Sequence, residues 1–357
     1  MNAKSTLNNV PTKGASFTNN APLKAILLGM VAGAVIGMSG SAIADTADKR
    51  IALSNNYAGN SWRQAMLESW EKVADEAVEE GTVASADAFT TSENQSTEQA
   101  AQIQNMILQG YDAIVVNSAS PTALNGAIKT ACDAGIIVVS FDGIVTEPCA
   151  WRIAVDFRQM GRDQIKYLES RYPDGGNLLE IRGLAGVFVD DEISAGIHEE
   201  AAGTEFEIVG SVHGDWAQDV AQKAVAGILP SLPEITAVVT QGGDGYGAAQ
   251  AFQASSRPTP TIIMGNRQDE LQWWAEQKAA NGYETISLSI APGVSSLAFW
   301  VAQQILDDQD VAKDLTVPFL RVNSDNLEEV LNETPEGSVA NQEYSLDDAK
   351  NLISSAD

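Results

Sequence analysis

From Arg50 to Ile290 the hydrophobic pattern alternates between short apolar runs and longer segments with helical spacing, and this alternation restricts the chain to an α/β architecture. Ala113 to Val116 is apolar at every position, as a parallel strand covered on both faces requires. The helical pattern from Gln95 to Gln109 comes before it and Thr122 to Ala134 after it, with Ile136 to Phe141 as the next strand. A second set of similar size and order begins near Ile153. The expected fold is therefore two similar doubly wound parallel-sheet lobes. A three-crossing hinge would join them near Ile153, Ser289 and Val322. The expected bounds are 45–154 plus 291–322 for lobe 1 and 155–290 for lobe 2, with 323–357 an acidic tail that the pattern assigns to neither. Val317 to Val322 reads as one strand.

The amino terminus suggests export. Lys4, Lys13 and Lys24 precede the apolar run Ala25 to Met38, and Ala42-Ile43-Ala44 offers a small-residue cleavage site. That run is shorter than the roughly 20 residues needed to span a bilayer, so 1–44 is expected to be a signal peptide and the mature chain periplasmic. The leader holds no acid, so the chain's net charge of −27 becomes more negative once it is removed. Such a charge repels phosphate backbones, which disfavours nucleic-acid binding. Cys132 and Cys149 are the two cysteines. In an oxidising compartment they are expected to form one disulfide, with a stabilisation of about 3 kcal/mol. His198 and His213 have no zinc-type spacing, and no metal is expected.

Ligands of parallel α/β sheets collect at the carboxyl ends of strands, beside helix N-termini. There the sequence places Asn60, Trp62 and Arg63, then Asn117, then Asp142, and in the second set Asp190 and Asp191, Trp216, Asn266 and Arg267. Amides, carboxylates and guanidinium groups hydrogen-bond hydroxyls, and indoles cover the apolar face of a sugar ring. Each has a plainer reading: Asn60 as a cap, Asp142-Gly143 as a turn, the tryptophans as core, and Asp190 and Asp191 as acids favoured at a helix start. Gly242-Gly243-Asp244-Gly245 lacks the Lys-Ser or Lys-Thr of a phosphate loop and reads as a turn.

Ile51-Ala52-Leu53 with Asn60, Gly110-Tyr111-Asp112-Ala113-Ile114 leading to Asn117, and Ala134-Gly135-Ile136 leading through Ser140-Phe141 to Asp142 together resemble the periplasmic binding proteins of the ribose and galactose type. These are the solute receptors of ABC importers. The resemblance implies a binding protein and no enzyme, with no cofactor, capturing a monosaccharide or polyol by lobe closure, acting as a monomer and delivering to an inner-membrane permease. It makes Asn60, Trp62, Arg63, Asn117, Asp142, Asp191, Trp216 and Asn266 the candidate ligand contacts. The chain departs from the pattern where relatives place Arg early in a second-lobe helix, having Asp190-Asp191-Glu192, and where they often have Arg after the Asp, having Gly143. Arg63 is placed to restore a cation. The pocket is thus not expected to be a ribose pocket, and another monosaccharide, a polyol or a cationic solute stays open. A sensing receptor for a small non-sugar solute, coupled to a membrane kinase or chemoreceptor, is the alternative reading.

Overall fold

A strand covered by helices on both sides needs apolar side chains at alternate positions on each face, and the central strands of both lobes meet that demand except at Glu180, a buried carboxylate that accepts from Ser194 and Ser211. In the computed structural model, which describes residues 46–92 and 95–356, β1 (Arg50–Asn55), β2 (Ser85–Thr90), β3 (Ala113–Asn117), β4 (Ile137–Phe141), β5 (Trp151–Ala154) and β11 (Asp314–Thr316) form a parallel sheet in the order β11-β5-β4-β3-β1-β2. The expected leader, 1–44, lies outside the described residues. Ile51, Leu53, Val115, Val139 and Phe141 point to one face, under α1 (Ser61–Glu79) and α9 (Val294–Leu306). Ala52, Ile114, Val116 and Val138 point to the other, under α2 (Ser96–Gln109) and α3 (Asn125–Asp133). Helix α9 is buried at every position from Val294 to Ile305, the polar Ser295, Ser296, Gln303 and Gln304 included, so it is covered all round rather than on one stripe.

The second lobe repeats the plan with β6 (Gly176–Arg182), β7 (Phe206–His213), β8 (Ala237–Val239) and β9 (Thr261–Ile262) in the parallel order β7-β6-β8-β9. Leu179, Ile181 and Val238 face α6 (Gln218–Ile228), α7 (Gly245–Ser255) and α8 (Gln268–Asn281). Leu178, Ala237 and Val239 face α4 (Phe157–Arg171) and α5 (Phe188–Ala201). Trp70, Trp273, Trp274 and Trp300 are core residues. Among the described residues no helix is long and apolar enough to cross a membrane.

The carboxyl-terminal part departs from the expected bounds. The single strand anticipated over Val317 to Val322 is divided by Pro318, which has no N–H to give a ladder. Upstream, β11 completes the first sheet; downstream, β12 (Leu320–Val322) pairs antiparallel with β10 (Ser287–Ser289), and Val322 packs in the second lobe's core. The crossing therefore comes before Leu320, earlier than the expected Val322. The acidic tail serves both lobes. Helix α10 (Leu327–Glu333) packs on α8, whereas α11 (Leu346–Ser355) packs on α9. Between them, Ala340 N donates to Asn266 O at 2.7 Å, and Asn341 Oδ1 accepts from Gly293 N at 2.7 Å. This strap crosses beside the three expected connections as a fourth.

Cys132 at the end of α3 and Cys149 in the loop after β4 have Cα atoms 6.4 Å apart, a separation that a disulfide spans. The segment between them carries β4 and Asp142.

Candidate functional site

The carboxyl ends of both sheets face one another across a cavity of about 110 Å³. Asn56 and Asn60 reach it from the loop after β1, Ser118 from β3, and Asp142 with Gly143 from β4. From the second lobe come Trp216 after β7, Gln241 to Gly243 after β8, and Asn266 with Arg267 after β9.

Asp142 is the electrostatic centre of the first-lobe wall. It sits at φ 55°, in the left-handed region that Asp tolerates better than most residues. Arg63 Nη1 lies 2.9 Å from its Oδ2, and Asn117 Nδ2 donates to the same oxygen at 3.0 Å. Oδ1 has no hydrogen-bond partner among the described residues and is left for a ligand hydroxyl. Burial pushes the Asp142 carboxyl above its ordinary value, and the Arg63 guanidinium pulls the other way. Gly143 follows because a Cβ there would stand 2.5 Å from Ser118 O, so this position has no room for the Arg of the family pattern. Arg63, from the first turn of α1, supplies the cation instead and lies over the Trp62 ring at 5.0 Å.

Two indoles flank the cavity. Trp62 donates from Nε1 to Ile290 O at 2.8 Å, which fixes its ring against the hinge. Trp216 has φ 55°, strained for an aromatic residue, and its carbonyl accepts from Arg267 Nη2 at 2.7 Å. Arg267 Nη1 donates to Ser61 Oγ at the start of α1, so one guanidinium ties the second lobe to the first.

Of the anticipated contacts, Asn60, Trp62, Arg63, Asp142, Trp216 and Asn266 line the cavity. Asn60 also caps α1, its Oδ1 accepting from Arg63 N at 2.9 Å, so cap and cavity positions coincide. Asn117 is fully buried behind Asp142 and orients that carboxylate rather than lining the space. Asp191 is a correction: its side chain is 62% exposed and pairs with Arg182 at 3.0 Å, away from the cavity. Asp190 lies wholly buried and holds Arg182 Nη2 at 2.7 Å. The acids at the start of α5 thus bind a neighbouring guanidinium and match the helix dipole. The pattern missed the aliphatic side of the cavity, Phe157, Met160, Val187, Val189 and Ile193, because their helical spacing matches that of ordinary core.

Behind the second-lobe wall lie two more buried carboxyls. Glu270 Oε1 accepts from Gly245 N at 2.7 Å, whereas neither oxygen of Asp244 has a hydrogen-bond partner among the described residues. Burial raises both above their ordinary values, Asp244 strongly, with Glu270 adding to the effect at Asp244 and Arg267 opposing it. A raised folded value means that the native state keeps a proton the unfolded chain releases. The stability from this group is then complete below the unfolded value of 3.8 and is lost as pH rises through the folded one. Asp244→Asn is expected to raise the unfolding free energy at neutral pH, because the unfolded aspartate releases a proton that the native state must keep, whereas asparagine has none to lose. Urea denaturation of both proteins across pH should show the gap closing in acid; a gap independent of pH would refute the assignment.

Among the described residues no group of three or more His, Cys, Asp or Glu is placed to hold a metal ion. The family model described as periplasmic binding protein domain matches residues 51–310. The ribose import binding protein RbsB of Bacillus subtilis is 22% identical over 231 residues, covering 63% of this chain and 73% of that protein. The match to the protein of the same name from Escherichia coli covers 59% of its length. A xylitol-binding protein of Mycolicibacterium smegmatis is 24% identical over 247 residues, covering 67% of this chain and 69% of that protein. Among solved structures, an ABC transporter solute binding protein from Thermobispora bispora superposes with a TM-score of 0.81 at 31% identity, covering 87% of this chain and 96% of its own. A solute binding protein from Bacillus halodurans with bound myo-inositol has a TM-score of 0.69 at 20% identity, covering 81% of this chain and 99% of its own.

Proposed function

Because this chain belongs to the periplasmic binding protein family, whose model spans residues 51–310, we propose that it is the exported receptor of an ABC importer. It captures a monosaccharide or polyol between its lobes and hands it, as a monomer, to an inner-membrane permease. The relatives named for ribose and xylitol, and the solute binding protein with bound myo-inositol, support a hydroxylated ligand, and they are binding proteins, so no catalytic step is assigned. The observation that carries the reading is the cavity between the strand ends, where Asp142 presents an unpartnered Oδ1 and two indoles stand beside it. Asn60, Trp62, Arg63, Asp142, Trp216 and Asn266 are the proposed contacts, with Asn117 positioning Asp142.

Contacts from both lobes exist only when the cleft is shut, so ligand shifts the population toward the closed form. Arg267 reaching Ser61 across the cleft is an interaction of that closed state. A thermal-shift screen of monosaccharides and polyols tests the reading: at least one should raise the melting temperature by several degrees. A response confined to amino acids or amines would show that the hydroxylated class is wrong.

In the periplasm Cys132 and Cys149 form the disulfide that their placement allows. The loop spans 17 residues, so Cys132→Ser is expected to cost about 3 kcal/mol of unfolding free energy. Reductant should lower the parent's stability by a similar amount and leave the variant unchanged. Equal sensitivity of both to reductant would rule the bond out.

A further inference from the structure

One wall of the cavity offers a ligand no polar side chain. Phe157 and Met160 stand in the first turn of α4, and Val187, Val189 and Ile193 at the start of α5. The two helices approach so closely that a Cβ on Gly196 would lie 2.0 Å from Arg158 O, and one on Gly161 would lie 2.3 Å from Ile193 O. Their N-terminal turns therefore merge into a continuous aliphatic surface. Val187 occupies the N-cap of α5 with no side-chain cap bond, in a place where Ser, Thr, Asp or Asn is favoured. A valine at this N-cap puts an apolar side chain against the cavity and leaves the first-turn N–H groups of α5 without a side-chain partner.

The polar groups bordering this wall are engaged elsewhere. Gln241 donates from Nε2 to Asp190 O at 3.0 Å and Oδ1 at 2.8 Å, and its Oε1 accepts from Gly183 N at 3.0 Å. Asn266 Nδ2 donates to Ala340 O at 2.7 Å. Arg182, the guanidinium nearest in sequence to α5, is held by Asp190 and Asp191 and does not line the cavity. Groups without a hydrogen-bond partner stand away from these side chains: Asp142 Oδ1 on the first-lobe wall, Ser289 Oγ at the hinge and Arg267 Nε after β9, with Asn60 and Arg63 beside Asp142. The space is amphipathic, with hydrogen bonds on one side and an aliphatic surface on the other.

We propose that the ligand of this cavity is a deoxygenated sugar or polyol, with hydroxyls along one edge and a methyl or deoxy carbon on the other, seated against Phe157, Met160, Val187, Val189 and Ile193. This rests on the proposed function and narrows it. A hydroxyl driven against those side chains loses its water without gaining a partner from them, whereas a methyl group there gains contact.

Isothermal titration of matched pairs tests it, each sugar against the counterpart that lacks its terminal hydroxyl: D-galactose with D-fucose, D-glucose with D-quinovose, L-mannose with L-rhamnose, and D-ribose with 5-deoxy-D-ribose. The deoxy member of at least one pair should bind about 10- to 100-fold tighter than its parent, the range for a single group in an apolar pocket. Val189→Thr, which puts a hydroxyl in the wall at nearly constant volume, should shrink that preference severalfold, and a preference unchanged by it would place the deoxy carbon elsewhere. If the fully hydroxylated members bind as well as or better than their deoxy partners, the inference fails while the sugar-receptor reading stands. If neither member of any pair binds, the inference fails, and the sugar-receptor reading fails with it only if the thermal-shift screen of monosaccharides and polyols is blank as well.

Discussion

Asp142→Ala is expected to weaken ligand binding by about 10- to 100-fold and to destabilise the unliganded protein as well. A hydrogen bond from a ligand hydroxyl to a carboxylate contributes about 1.5–3 kcal/mol, and every 1.4 kcal/mol is tenfold in affinity. The substitution also strands Arg63, whose side chain is 13% exposed and whose ion-pair partner is that carboxylate. Removing one member of a buried pair costs roughly 3–5 kcal/mol, more than the pair itself contributes, because the remaining charge is uncompensated. Two consequences are therefore separable. Asp142→Leu combined with Arg63→Met removes both charges and should recover much of the stability while binding stays lost. Calorimetric titration with the ligand found by thermal shift, together with urea denaturation, reads both. A single variant that binds like the parent would place the ligand elsewhere; a double variant that regains affinity would show that Asp142 only balances Arg63.

The core of the fold was legible because strands such as Ala113–Asn117 are apolar on both faces and alternate with long helices. What escaped was short or half-exposed. Strand β5 buries only Ile153 fully and β11 only Leu315, so neither shows the continuous apolar run of a central strand. The strap from Ser338 to Tyr344 is held by hydrogen bonds to Asn266, Ser69 and Gly293, partners distant in sequence that leave no local pattern. At the site, Asp142 could be read because a carboxylate ending a parallel strand has few structural tasks. Asp191 misled because acids at a helix start serve the dipole and nearby cations equally well, and here Arg182 takes it. The departure at Gly143 became intelligible only in three dimensions, where Ser118 O fills the space of a side chain and Arg63 arrives from another helix. The aliphatic wall escaped because a residue lining a cavity and a residue filling a core have the same spacing on a helix.

Gly196→Ala is expected to destabilise the protein by about 3 kcal/mol, although alanine is the better helix former. On an open helical surface glycine to alanine gains roughly 0.5–1 kcal/mol, since alanine has less backbone freedom to lose on folding. Gly227 in α6 is such a position, with nothing within 4 Å of an added Cβ, and Gly227→Ala should be stabilising by that amount. At Gly196 the new carbon would meet the Arg158 carbonyl at 2.0 Å, a backbone atom of α4 that moves only if the whole helix moves. Overpacking of this kind costs about 1–3 kcal/mol and sometimes more, and rigid backbone on both sides puts this case at the upper end. The helices must splay, and the merged surface of Met160, Val189 and Ile193 opens with them, so the preference for a deoxy ligand should weaken along with stability. Urea denaturation of the two alanine variants side by side is the measurement. Opposite signs are the expected result; a Gly196→Ala protein as stable as Gly227→Ala would mean that α4 and α5 do not make this contact and that the aliphatic wall is not a rigid feature of the fold.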